Sequence, residues 1–214
     1  LYNPRSGDNG EMDYDQYYVF MEKPVILNLN TGSFYSNFSP ILDSGKDPWN
    51  DNWRSVRNFL KYLRCLEEAY MEWSRLENPS KTVLVLRPDI IYADITSNLV
   101  LRINKEINRY DDLFLTSVFQ SFGGVNDRFA ILKGSAVKLY LTRIQFLNKY
   151  IEMQSKWNSE KFLADVINET SVKHLTAPLK LYRTRSNGCV VDEKFHIFTS
   201  GSIKSFYKNY RALV

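Results

Sequence analysis

Arg87-Pro88-Asp89 closes a short apolar run, Thr82-Val83-Leu84-Val85-Leu86, and so delivers a guanidinium and a carboxylate to the carboxyl edge of an expected strand. In open α/β sheets that edge is where ligands bind. Some thirty residues later, Ser121-Phe122-Gly123-Gly124-Val125-Asn126-Asp127-Arg128-Phe129 places two glycines, which allow close backbone approach, ahead of an acceptor, a charge and a donor in consecutive positions. Such groups suit an anionic ligand, with a carboxylate for a hard cation and arginine for phosphate oxygens. The plainer readings are a turn carboxylate at Asp89 and a surface hairpin on which Asp127 and Arg128 pair.

Other candidates are spread more widely. Glu160 opens an expected helix after a loop containing Trp157, a position where glutamate also serves as a cap. Arg183 and Arg185 alternate along an expected strand, so they share a face and can reach one diphosphate or acidic partner. His196, followed by Gly201 and Lys204, and the only other histidine, His174, are candidate imidazoles. Asp94 is a second carboxylate near Asp89. For a base slot, Asn3 and Arg5 lie in the polar opening loop, Arg54 and Asn58 at the start of a helix, and Tyr35 offers a ring for stacking.

These residues need a scaffold, and hydrophobic spacing supplies it. Asn50, Asp51 or Asn52 caps a helix running to Leu76, on which Trp53, Val56, Leu60, Leu63, Leu66, Tyr70 and Trp73 recur at three- and four-residue steps. A surface helix is expected over 98–109, with Leu99, Leu101, Ile103 and Ile107 opposite Arg102, Lys105 and Glu106. Strands are expected over 24–30, 82–87, 113–119, 128–132 and 178–185, with a long helix over 135–154 and another over 159–170. Strands interleaved with helices of this length imply an α/β fold: a three-layer α/β/α sandwich around a mixed central sheet, in one domain spanning 1–214.

Composition narrows the class. The chain has 214 residues, 44% of them hydrophobic, enough for a core without disulfides. Its 28 basic and 24 acidic residues are dispersed and give a net charge of +4, too weak a surplus to imply a nucleic-acid partner. Cys65 and Cys189 lack metal-ligand spacing and read as reduced, inert core thiols of a cytoplasmic protein. No run reaches the roughly 18–20 apolar residues of a membrane span, and no leader is apparent. The chain opens on Leu1 without an initiator Met, so residues ahead of it are expected to be missing.

The strand ending in Arg87-Pro88-Asp89 and the Asn126-Asp127-Arg128-Phe129-Ala130 segment resemble small nucleotide-sugar glycosyltransferases of the GT-A fold, of the kind large DNA viruses such as chlorella viruses use on their capsid proteins. The resemblance covers mainly residues 53–188. It implies a metal-dependent transferase moving a sugar from a UDP-sugar donor to a glycan or glycoprotein acceptor, in the host cytoplasm if viral. Residues 1–95 would form the nucleotide-binding half and 96–214 the half for donor sugar and acceptor. Asp89 and His196 would hold Mn2+ or Mg2+, with Asn3, Arg5, Arg54, Asn58, Arg87 and Lys204 on the nucleotide and diphosphate. Asn126, Asp127 and Arg128 would meet the donor sugar, and Asp127 and Glu160 would be catalytic. Family members carry Asp-x-Asp at the metal, whereas Arg87 stands at the first acidic position here. That departure motivates an alternative, a nucleotide- or glycan-binding module of the same fold without catalysis. A nucleotidyltransferase would need two or three metal carboxylates, and no Gly-Lys-Ser/Thr phosphate loop is present.

Overall fold

The computed structural model describes residues 50–87, 89–93, 95–153, 158–184 and 190–191. The expected strand at 24–30 lies outside these residues, as do Asn3, Arg5, Tyr35, Pro88, Asp94, Trp157, Arg185, Cys189, His196, Gly201 and Lys204.

The described chain is a mixed α/β fold. Helix α1 (Arg54–Ser74) leads to strands β1 (Thr82–Leu86) and β2 (Ile90–Ala93), helix α2 (Ser97–Arg109) and strands β3 (Leu113–Ser117) and β4 (Phe129–Lys133). Helix α3 (Ser135–Leu141), a 3-10 turn (Arg143–Phe146), α4 (Leu147–Met153) and α5 (Ser159–Asn168) precede β5 (Lys173–Ala177), β6 (Lys180–Thr184) and β7 (Val190–Val191). The larger sheet has the order β1-β4-β3-β5 and the smaller β2-β6-β7. In the larger sheet β4 runs antiparallel to both β1 and β3, while β3 and β5 are parallel, so the sheet is mixed. It draws one strand from residues before 95 and three from residues after.

Alternation along the strands assigns the two faces of this sheet. Phe114, Ala130, Leu132 and Val85 point to one side and pack with Leu66 of α1, Val137 and Tyr140 of α3, and Leu163 of α5. Leu113, Leu115, Phe129 and Ile131 point to the other, onto Leu179, Leu181 and Ile90, with Leu99, Ile103 and Ile107 of α2 alongside. The second face is thus covered by a helix and a small sheet together. Deeper under the helices, Val56, Leu60 and Leu63 of α1 meet Leu147, Tyr150, Phe162 and Val166, which realises the expected stripe. The N-cap of α1 is Trp53, with no side-chain cap bond, rather than one of the expected Asn50, Asp51 or Asn52; Asp51, two residues earlier, still accepts from the Ser55 amide at 3.2 Å and its hydroxyl at 2.5 Å.

Four expectations change. Leu101 does not join the inward face of α2 but stands 66% exposed, because the inward stripe follows steps of four through Leu99, Ile103 and Ile107. Cys65 is exposed on α1 rather than in the core, being off the buried stripe. The single helix expected over 135–154 is broken at Thr142, whose hydroxyl donates back to the Lys138 carbonyl at 2.8 Å, and Arg143 then turns inward. Strands β2 and β5 were not anticipated; β5 is an edge strand with half-exposed positions, which weakens the apolar alternation that marks a strand. Among the described residues no helix is long and apolar enough to cross a membrane.

On β5, His174 bonds the Thr116 hydroxyl through Nε2 at 2.9 Å, and burial pushes its pKa from 6.5 down to about 4. The folded state therefore favours the neutral ring, a stabilisation fully present above pH 6.5 and lost as pH falls from there toward 4. Thermal unfolding of His174→Gln is accordingly expected to show a shallower fall in midpoint between pH 6.5 and 4 than the parent chain; equal slopes would rule out this source of acid sensitivity.

Candidate functional site

The β1–β4 ladder ends with Leu86 opposite Phe129, so Arg87 and Arg128 leave the sheet side by side at its edge. Tyr92 of β2 stitches them together: its hydroxyl accepts from the Arg87 amide at 2.8 Å and lies 3.2 and 3.3 Å from the carbonyls of Arg87 and Arg128. Two motifs some forty residues apart in sequence thereby become one locus.

The loop between β3 and β4 is held from within. Asn126 is fully buried, donates to the Phe119 carbonyl at 2.8 Å and accepts from the Arg128 amide at 2.9 Å. Arg128 donates to the Gln120 side-chain oxygen at 2.8 Å, and the Gln120 amide donates to the Leu181 carbonyl of β6 at 2.8 Å. The Asp127 carbonyl accepts from Tyr62 at 2.7 Å and from Tyr140 at 3.3 Å. Its backbone is fixed, and the residue is only 4% exposed. Gln120 and Phe122 adopt positive φ, 54° and 42°, a conformation that side-chain-bearing residues seldom take unless their surroundings enforce it.

Glycine at 124 has a specific cause. The amino end of α5 lies directly against the loop, with the Val125 amide donating to the Glu160 carbonyl at 2.9 Å. A Cβ on Gly124 would fall below 3.0 Å from the Glu160 carbonyl group and the Lys161 amide, all of them backbone atoms that cannot swing aside. Asn158 caps the helix, accepting from the Lys161 amide at 2.7 Å. This docking brings Glu160 to Asp127. Burial, then the charge of Asp127, push the Glu160 carboxyl from 4.5 up to about 7, against the opposing pull of its backbone and Ser159 hydrogen bonds and of Arg128. A carboxyl poised near neutrality in a site with a second carboxylate is suited to move a proton.

Behind Asp127 lies a group that sequence reasoning missed. Arg143, 1% exposed, sits over the rings of Tyr140 and Tyr62, 4.1 and 5.3 Å from their centroids, and donates to the Tyr140 carbonyl at 2.8 Å. Burial disfavours its charge, yet Tyr140, Tyr62 and Asp127 together hold its pKa above the ordinary value. Its place at a helix break gave no amphipathic signal, and only the presence of an arginine between apolar helix segments marked it.

Asp89 is differently engaged. Arg87 grips it with two bonds, Nε to Oδ1 at 2.9 Å and Nη2 to Oδ2 at 2.7 Å, and Arg183 Nε stands 3.3 Å from Oδ2. Burial would raise the carboxyl, but Arg87 and then Arg183 outweigh it and hold Asp89 below its usual range. A divalent cation at Asp89 would have to displace both guanidinium groups, and among the described residues no three His, Cys, Asp or Glu converge on a point. The described arrangement does not fit Mn2+ or Mg2+ there. Arg54 and Asn58 sit in the first turns of α1, while Tyr62, one to two turns further on, is the α1 residue that reaches Asp127. His174 is engaged in the β3–β5 ladder with Thr116.

Thus Asn126, Asp127, Arg128, Glu160 and Arg87 lie in one region of the fold, with Asp89 tied to Arg87. Comparison of the chain with protein-family models, curated proteins and solved structures gives no match.

The contact at Gly124 carries a prediction. Gly124→Ala is expected to destabilise the fold by about 1–3 kcal/mol or more, as overpacking against rigid backbone does, with the loss visible in urea unfolding. An unchanged midpoint would mean that α5 does not dock on this loop.

Proposed function

We propose that the chain is a glycosyltransferase of the GT-A type that moves a sugar from a UDP-sugar to a glycan or glycoprotein hydroxyl, with Glu160 as the base. The observation that carries this reading is the Glu160 carboxyl, raised to about 7 beside Asp127 at a glycine-lined sheet edge. The acceptor oxygen attacks the anomeric carbon as the bond from that carbon to the diphosphate oxygen breaks, and UDP leaves with the bonding electron pair. The acceptor proton passes to Glu160, and the anomeric configuration inverts. Asp127 holds donor-sugar hydroxyls and faces the positive charge that develops at the anomeric carbon, while Asn126 and Arg128 keep its loop in place. The capsid-glycoprotein setting implied by the resemblance belongs to the same proposal.

A binding module without turnover is the second reading, favoured by one observation: Arg87 occupies Asp89 where a catalytic metal would otherwise sit. The two differ in turnover.

The test is UDP release from UDP-sugars in the presence of glycan acceptors, followed from pH 5.5 to 8.5. Because the base acts deprotonated and its carboxyl titrates near 7, the rate is expected to rise through about pH 7. Glu160→Gln is expected to lose about 10²–10⁴-fold in rate while retaining UDP binding. Between pH 4.5 and 7 the parent chain should lose stability that the variant keeps, so the variant becomes the more stable of the two as pH rises, since a raised carboxyl pKa costs the folded state stability above its unfolded value. UDP binding with no turnover for any donor would favour the binding module. Turnover indifferent to Glu160 would remove the inverting mechanism.

A further inference from the structure

We propose that Phe122 is a stacking platform for the sugar ring of a glycan acceptor, set beside Glu160 at the amino end of α5. The inference rests on the glycosyltransferase reading above and narrows its acceptor from any hydroxyl to one carried on a pyranose.

Local backbone chemistry makes phenylalanine an unfavourable choice for the fold at this position. The Gly124 amide donates to the Ser121 carbonyl at 2.7 Å and closes a turn over 121–124 whose central residues, Phe122 and Gly123, take φ of 42° and 84°. Positive φ at both central positions is the pattern of a type I′ turn, and asparagine, aspartate or glycine is favoured at the first of them. Gly123 meets that requirement without strain, whereas Phe122 carries a bulky side chain in a region that such residues avoid.

Two other residues at positive φ show what normally compensates. Gln120, at φ 54°, ties the Leu181 carbonyl and the Arg128 guanidinium through its side chain. Trp53, at φ 61°, packs its ring on the cluster that holds Val56, Leu60 and Phe162. Phe122 has neither compensation: among the described residues it joins none of the three apolar clusters. Strain held without a packing reason, four residues before Asn126 and five before Asp127, marks a side chain kept for a ligand.

The surroundings select the ligand. The Phe122 ring is half-buried, and the Arg128 guanidinium lies over it, 5.5 Å from its centroid, while Arg128 also donates to Gln120 at 2.8 Å. A ring backed in this way presents a flat apolar plate. Gly123 beside it is exposed and has no side chain to obstruct approach, and a Cβ there would stand 3.5 Å from the Lys161 side chain. Gly124 closes on the Glu160 main chain, so the plate and the Glu160 carboxyl adjoin the same end of α5. Ligand sites combine aromatic lining with a few placed polar groups. The C–H face of a pyranose matches the plate, and its hydroxyls match the carboxyl oxygens of Glu160 and Asp127. A serine or threonine hydroxyl of a protein acceptor would leave the plate unused.

The experiment titrates the full chain with the methyl pyranosides of glucose, galactose, mannose and N-acetylglucosamine, followed by NMR, and separately with UDP by calorimetry. The parent, Phe122→Asn and Phe122→Tyr are compared, because asparagine suits the turn and tyrosine keeps the ring. At least one pyranoside is expected to bind the parent and Phe122→Tyr, with Phe122→Asn weakening it by about five- to thirtyfold and leaving UDP affinity unchanged. The urea midpoint of Phe122→Asn is expected to equal or exceed that of the parent, since the strain at φ 42° is relieved. A lower midpoint would mean that the fold needs the ring, and would overturn the inference. Pyranoside binding indifferent to Phe122→Asn, or none at all, would overturn it too, while UDP binding would leave the nucleotide-sugar reading standing. Loss of UDP binding in Phe122→Asn would put the ring under the nucleotide and overturn the acceptor assignment. Absence of UDP binding by the parent would remove the nucleotide-sugar reading, and the acceptor assignment with it.

Discussion

The antiparallel register of β1 and β4 is the constraint on which the rest depends. Leu86 opposite Phe129 fixes Arg87 beside Arg128, and Tyr92 of β2 in the smaller sheet bridges both carbonyls. A slip of β1 by one residue would turn Val85 away from the helices and exchange the two faces of that strand. The hydrophobic alternation that holds the core therefore also sets which charged side chains meet at the sheet edge.

That edge concentrates groups which folding alone would not choose. Buried charges repay their desolvation only when they are paired, and an apolar cluster of similar volume is often as stable. Here Asp127, Arg128 and Arg143 lie inside, together with Asn126 and Gln120, in a network that runs from α1 through the β3–β4 loop to β6. Two non-glycine residues at positive φ in the same loop add local strain. Buried polar groups and local strain combined in one loop are the pattern expected of a site rather than of a scaffold, whereas the positive φ of Asn50, Asn52 and Trp53 at the start of α1 comes without such a polar network.

Much of this was legible in the chain. The α1 stripe, β1, β4 and the amino end of α5 follow from periodicity and capping, and their registers bring Asp127 and Glu160 together. Other features were hidden for physical reasons. The break at Thr142 depends on a hydroxyl-to-carbonyl bond that competes with helix hydrogen bonding, and hydrophobic spacing does not report it. Strand β2 is four residues long and follows Asp89 directly, so it reads as the tail of a loop. Tyr62, Tyr140 and Arg143 reach the site from the helical layer, through contacts between residues as much as 78 positions apart that no local pattern encodes. The grip of Arg87 on Asp89 was contained in the spacing of a guanidinium and a carboxylate two residues apart, but the same spacing also allowed both to face a ligand.

Glu160 divides its duties between two sets of atoms. Its main-chain carbonyl receives the Val125 amide and closes against Gly124, whereas its carboxyl faces Asp127. Architecture at this position is thus written in atoms that every amino acid shares, and the local electrostatics in atoms that the side chain supplies. A substitution at 160 can therefore remove the carboxyl that faces Asp127 while the helix stays docked, so the two duties are separable by a single codon.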